Sequence, residues 1–471
     1  MRTGLLVAAL AAFVFALVAV PHAKSAGPPL RDFEAYYAAG ATARYHGDPY
    51  SRDIWRSERL VPGVVRSRDE LLPFVGPPYG LPLWSALATR TFRGASIAWA
   101  IVLGLSFATL TLGSLALATG RIPVRAAIAT IFFAAAFAPI TGGIALGQVA
   151  LVSCAAIVAV PFALRPRRTL AAVLAVLVAG LQPNLAIVLA VRASDARARV
   201  ALVSAALVAL LGSIIELGGP REIAHYALVL RDHAAAERFI AIQTTPGAVA
   251  FALGAPAMLA NALALGLAAF VVVTLAVQCL RARHDPDARL LLACAAVPLA
   301  LPFAHGQEYA IAFAPAIVTL VRARGAAWVW AACAALTLGI DWLGLAQHPH
   351  DTLGPVALAL AGACALAALA SERLAWRHAI PFALVGIVAA VHRLAAAHPL
   401  PVWPDALPFG FHVADTLPAA VLWNAEQVAS GLAARDPVWG TLRALDLIAC
   451  AVLWIVASRT LARARTRANA S

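Results

Sequence analysis

Four short stretches of the chain carry side chains that could do chemistry. The first, Arg31-Asp32-Phe33-Glu34-Ala35-Tyr36-Tyr37, follows closely on the apolar run at residues 5–20. A carboxylate at a membrane surface is partly desolvated, which raises its pKa and its basicity. Asp32 therefore suits a general base that takes a proton from a hydroxyl. An Ala-rich helix from Phe33 to Arg44 would present Tyr36 and Tyr37 near the bilayer interface. Asp32 suits a helix N-cap equally well, and the two roles can coexist. The second stretch puts His305, Gln307, Glu308 and Tyr309 in a turn between two apolar segments. Ionisable groups are costly at such depth, which marks a site, and a His beside a Glu could hold a phosphate or a proton. A polar turn facing water is the plainer alternative. Third, Gln148 after Gly147 either bonds a neighbouring helix or lines a cavity, with helix contact favoured. Fourth, Gly180, Gln182, Pro183 and Asn184 interrupt the apolar segment 170–191, and such breaks are tolerated only where protein buries them or a wet cavity borders them.

The elements that must position these groups are membrane helices. Of 471 residues, 62% are hydrophobic and only 13% charged, against roughly 45–50% and 25% in soluble chains. Apolar windows alternate with Arg clusters such as 165–168, 192–199, 281–289 and 322–324. The intervening turns at 141–148, 303–308 and 346–351 hold neither Lys nor Arg. By the positive-inside rule the Arg side is cytoplasmic. About twelve passes are expected, near residues 4–21, 96–118, 124–140, 146–164, 200–217, 252–278, 289–303, 309–321, 326–344, 353–370, 379–396 and 441–458. Both termini then lie in the cytoplasm, and the first helix is expected to be retained rather than cleaved as a signal peptide. Segment 170–191 is flanked by Arg on both sides and is expected to enter as half-helices and turn back. Residues 78–90 are too short to span and read as interfacial or re-entrant. Three long outer loops, 23–95, 218–250 and 397–440, and a basic tail at 459–471 complete a single membrane domain. Substrate handling is expected in the long loops.

Several function classes fall away. The net charge of +13 comes from Arg clusters between apolar segments, so it reflects topology rather than nucleic-acid binding. The six cysteines are scattered singly, without zinc-site spacing. His225, His233, His348, His350, His398 and His412 form no HExxH; a DxD does occur at Asp285-Pro286-Asp287, but inside the Arg-rich turn 281–289, and the His348–Asp351 turn is a weak metal signal. No Gly-rich phosphate loop and no GxSxG nucleophile elbow is present.

The order of motifs resembles glycosyltransferase family 87. Asp32-Phe33, Tyr36-Tyr37 and Ala38-Ala39 come first, then Gly47-Asp48-Pro49-Tyr50 and Gly76-Pro77-Pro78-Tyr79; Gln148, Gln182-Pro183 and the turn before Tyr309 follow in matching order. The resemblance implies an all-α, polytopic transmembrane helical bundle of the GT-C type. It also implies inverting transfer of a hexose or pentose, such as mannose, from a polyprenyl-phosphate donor to a lipid or glycan acceptor at the outer membrane face. Asp32 would be the catalytic base, and His305 would lie near the donor phosphate. Tyr36, Tyr37, Gln148, Gln182, Asn184, Gln307, Glu308 and Tyr309 are the expected substrate contacts, with no cofactor and no metal. The chain departs from the pattern in Gly-Pro-Pro-Tyr for the usual Tyr-Pro-Pro, in Gln182 for a common Lys, and in a 305–309 turn without Asp. A polytopic transporter or lipid flippase is the main alternative, since interrupted helices also describe alternating-access carriers. A flippase should carry a second break in the other half, and none is evident.

Overall fold

The computed structural model describes residues 30–347, 353–370, 375–414 and 417–468, and every regular element among them is a helix. The expected first pass, residues 4–21, and the His348–Asp351 turn lie outside the described residues.

Among the described residues four helices are long and apolar enough to cross a membrane: Phe92–Thr119, Ala196–Glu216, Ala257–Arg281 and Pro437–Ala462. A fifth span results if Val124–Ala135 and Ala138–Leu146 count together, although they meet at a 62° bend. The bend falls at Phe137, whose backbone is extended; Pro139 two residues on has no N–H to donate, and in a continuous helix its ring would clash with the carbonyl of Ala135. Ala257–Arg281 exposes apolar side chains almost all round, Met258, Leu265, Phe270 and Val273 among them. A helix hydrophobic on every face needs lipid or protein around it rather than water. Other expected passes are shorter helices, such as Val149–Ala163, Ala326–Gly339 and Val356–Ala368. At a rise of about 1.5 Å per residue, each falls short of a 30 Å hydrocarbon layer unless neighbouring turns extend it.

The segment after the first Arg cluster enters and returns. Helix Thr169–Ala179 stops at Gly180, Gln182 opens a short turn from Pro183 to Ala186, and 3-10 geometry carries the chain to Arg192. Arg165, Arg167 and Thr169 at its start share one small cleft with Ala196, Arg197 and Val200 just past its end. The two ends of the segment therefore lie close together. Residues 78–90 form a 3-10 turn and the helix Leu81–Leu87, packed on helix Arg31–Arg44. The two cross so closely at Gly40 that a Cβ there would lie 2.2 Å from the Trp84 carbonyl carbon, so only glycine fits.

One contiguous hydrophobic core joins helix Arg31–Arg44 to the long helices, and Trp99, Phe107, Phe133, Phe313 and Trp328 are fully buried within it. Phe33 stacks on Trp99 at 5.7 Å and Tyr36 on Trp84 at 4.7 Å. Such pairs contribute about 0.5–1.5 kcal/mol each beyond area burial. They fix the face of this helix that carries Asp32.

Candidate active site

Six separate stretches of chain meet around one cavity of about 660 Å³. The loop region 23–95 supplies Arg31, Asp32, Tyr36 and Phe74, the region 218–250 Tyr226, His233 and Glu237, and the region 397–440 Trp403, Asp405, Trp423 and Gln427. Gln148, the Gln182-Pro183-Asn184 break and the His305–Glu308 turn complete the wall. A cavity does border the helix break.

Asp32 sits in the first turn of helix Arg31–Arg44, where the positive helix end favours a carboxylate. It is not the cap: the N-cap position is Leu30, which makes no side-chain cap bond. Its carboxylate instead accepts a hydrogen bond from the side-chain amide of Gln148. Gln148 thus both bonds a neighbouring helix, as favoured from sequence, and lines the cavity. Burial pushes the Asp32 carboxyl up to about 6, and the Gln148 bond with the charges of His305 and Arg31 restrains the rise. The group is an anion at neutral pH yet far more basic than a solvated aspartate.

The His305 turn is pinned from two sides. The His305 amide donates to Glu308 Oε2 at 2.7 Å, and Ala304 N donates to Gln243 Oε1 at 3.0 Å. Thr244 N donates back to Ala304 O at 2.8 Å. Gln182 Nε2 donates to Glu308 Oε1 at 3.2 Å, which joins the broken segment to the turn. His305 Nε2 lies 3.3 Å from Glu237 Oε2, and the Gln307 amide nitrogen lies 3.4 Å from its Nδ1. Burial alone would lower the imidazole, but the Glu237 bond and charge, aided by Glu308 and Asp32, override it and push His305 up to about 9.

Two expected substrate contacts lie elsewhere. The Tyr37 hydroxyl donates to Arg90 O at 2.9 Å, and Tyr37 does not line the cavity. Tyr309 is fully buried with its hydroxyl donating to Thr244 O at 2.9 Å, so it anchors the turn from behind. Helical and turn geometry explain both: Tyr37 follows Tyr36 round the helix to another face, and Tyr309 follows Glu308 into the core. Asn184 lines the cavity while its side chain accepts from the amide of Leu185 at 3.1 Å, a local turn bond.

Glu237, Gln243, Trp403, Trp423 and Arg31 escaped notice in the sequence. Glu237 ends helix Glu222–Glu237 in the region 218–250, and nothing near it in sequence announces a partner 68 positions away in the His305 turn. The regions 23–95 and 397–440 are stitched together beside the cavity. Asp69 N donates to Phe411 O at 2.8 Å, Val413 N to Asp69 Oδ2 at 2.8 Å, and Leu71 N to Glu426 Oε1 at 2.8 Å. Of the histidines weighed as metal ligands, His225, His398 and His412 pair singly with Asp48, Asp436 and Asp69 away from the cavity wall. Among the described residues no three His, Cys, Asp or Glu side chains are arranged to hold a metal ion.

Chemically, the arrangement offers a carboxylate raised in basicity at one wall, a histidine whose pKa Glu237 raises at another, and Tyr36, Phe74, Trp403 and Trp423 along the same cavity. A proton acceptor and a histidine drawn toward its cationic form thus face one space that could hold a sugar-sized group. No family model, no curated protein and no solved structure matches the chain.

Proposed function

We propose that the protein is a membrane-embedded inverting glycosyltransferase of the GT-C type, with about twelve passes, cytoplasmic termini and an outward-facing site. It moves a hexose or pentose from a polyprenyl-phosphate donor to a lipid or glycan acceptor. The observation that carries this reading is one cavity holding both Asp32 and His305, a base and a cation contributed by parts of the chain far apart in sequence. The acceptor hydroxyl oxygen attacks the anomeric carbon as Asp32 takes its proton. The bond from that carbon to the phosphate oxygen breaks on the opposite face, and polyprenyl phosphate leaves with the electron pair. The anomeric configuration inverts. The leaving phosphate gains negative charge as the bond breaks, and a preorganised imidazolium favours that state more than the ground state. A donor already dissolved in the bilayer needs no soluble nucleotide-binding domain.

Membranes containing the wild type or Asp32→Asn, given radiolabelled polyprenyl-phosphate sugars and host lipid extract, test this reading. Wild type should form labelled product and the folded variant should lose it by orders of magnitude. Equal activity in the variant would remove Asp32 as the base. No transfer from any donor would favour the transporter instead.

A further inference from the structure

Glu237 is the one carboxylate on the cavity wall whose two oxygens are both engaged by groups from three different segments. Oε2 lies 3.3 Å from His305 Nε2 and accepts from the Gln243 amide at 3.0 Å. Oε1 accepts from Trp423 Nε1 at 2.5 Å and lies 3.4 Å from His233 Nε2. Glu237 is 2% exposed and Gln243 1%. A buried carboxylate is expensive unless each lone pair meets a donor or a cation, and here each oxygen meets two groups.

We propose that Glu237 is a positioning residue that keeps His305 an imidazolium aimed into the cavity. The donor phosphate of the transfer reaction thereby meets a fixed positive charge, and Trp423 and Gln243 hold Glu237 in place. The inference rests on the glycosyltransferase reading for the phosphate, and its first link is the 3.3 Å approach of Glu237 Oε2 to His305 Nε2, a nitrogen that the Gln243 amide nitrogen also faces at 3.0 Å.

The charged and titratable groups facing His305 are few. Helix Glu222–Glu237 brings Glu237 and His233, the turn itself brings Glu308, and helix Arg31–Arg44 brings Asp32. Three are carboxylates. His233 shares Glu237 with His305, but burial lowers its pKa, so His305 keeps the proton. Glu237 in turn is drawn down to about 2: burial would raise it, and the two histidines with the Trp423 bond outweigh that. Glu308 cannot replace Glu237, because its Oε2 is taken by the His305 backbone amide and its Oε1 by Gln182. Arg31 also lines the cavity but is bound to Glu34 and Glu70. The Glu237–His305 pair is thus what lets an otherwise carboxylate-rich wall accept a phosphate.

Glu237→Gln keeps the shape and removes the charge. The measurement is exchange of the His305 C2 hydrogen by peptide mass spectrometry, taken from pH 5 to 10 on the full-length protein in lipid nanodiscs. Its midpoint reads the imidazole pKa and needs no substrate. In the wild type the midpoint should fall near pH 9. In the variant it should drop by about two pH units toward the ordinary value near 6.5. In the same variant the ratio of the sugar-transfer rate at pH 8 to that at pH 6 should fall about tenfold or more. A pillar that merely ties helix to turn would lower the melting temperature without moving the midpoint, and that result overturns the proposal. So does a wild-type midpoint near 6.5, which decides the matter even if Glu237→Gln fails to fold. A shifted midpoint with an unshifted rate profile keeps the pair and removes its part at the phosphate. A shifted midpoint in a protein that transfers no sugar from any donor sinks the glycosyltransferase reading and leaves the Glu237–His305 link standing.

Discussion

The side-chain amide of Gln148 donates to the carboxylate of Asp32 across 116 positions of sequence. Because the bond is made to the charged form, it holds the Asp32 pKa below the value burial alone would give. Gln148→Ala should therefore make the base harder to ionise. A hydrogen bond to a charged group is worth about 1.5–3 kcal/mol, or roughly one to two pKa units. The variant should transfer sugar poorly at pH 6.5 and recover most of its rate by pH 8.5. A uniform loss at both values would mean that Gln148 binds substrate rather than tuning the base.

The pH profile of the wild type follows from two groups with opposite requirements. Asp32, raised to about 6, must be deprotonated to act as a base, so the rate should rise through that value. His305, raised to about 9, must stay protonated, so the rate should fall through that value. The product is a bell with a plateau between them. For stability, the raised His305 pKa contributes fully below its unfolded value near 6.5, and the contribution fades as pH climbs through about 9. His305→Asn should flatten the alkaline fall of the melting temperature. An unchanged alkaline slope in that variant would remove His305 as its cause.

How much of this was legible depended on the distance over which each signal acts. The break at Gln182-Pro183-Asn184 could be read because proline and flanking arginines act locally, and a cavity borders it as membrane physics requires. Asp32 and His305 stood out as ionisable residues beside apolar runs. Tyr37 and Tyr309 lie off the cavity wall, because sequence adjacency to Tyr36 and Glu308 says nothing about which face of a helix or turn a side chain takes. Glu237 was invisible for the opposite reason: its meaning comes entirely from His305, Trp423 and Gln243, which only the folded chain brings to it. Continuous membrane passes were expected wherever the sequence stayed apolar, but Pro and Gly cut several of them into shorter pieces.

Gly147 ties the base to the core. Its φ is +76°, a Cβ there would lie 2.8 Å from the Cβ atoms of Leu30 and Phe33, and its carbonyl accepts from Trp99 Nε1 at 2.7 Å. An alanine would cost about 1–2 kcal/mol for the left-handed backbone and another 1–3 or so for the clash. Because Phe33 follows Asp32, the strain should displace the carboxylate from Gln148. Gly147→Ala should lower the melting temperature and cut transfer by about tenfold or more, with the loss in kcat rather than KM. A variant that melts early yet turns over normally would show that the clash is relieved on the Leu30 side.

Arg31 separates a structural charge from a chemical one. It precedes the base and borders the cavity, but its guanidinium is clasped by Glu34 and Glu70 and lies 4.7 Å over the ring of Trp403. Removing one member of a buried ion pair costs about 3–5 kcal/mol. Arg31→Ala should therefore lose folded protein before it loses chemistry, read as a fall in monodisperse yield and melting temperature. Glu34 behaves differently, because burial drives its carboxyl upward against the pull of Arg31 and so favours its protonated form. Glu34→Gln should then change stability by no more than about 1 kcal/mol and leave the transfer rate at pH 7 intact. If Glu34→Gln proves as damaging as Arg31→Ala, Glu34 is a charged partner, and Arg31 neutralises two carboxylates rather than one.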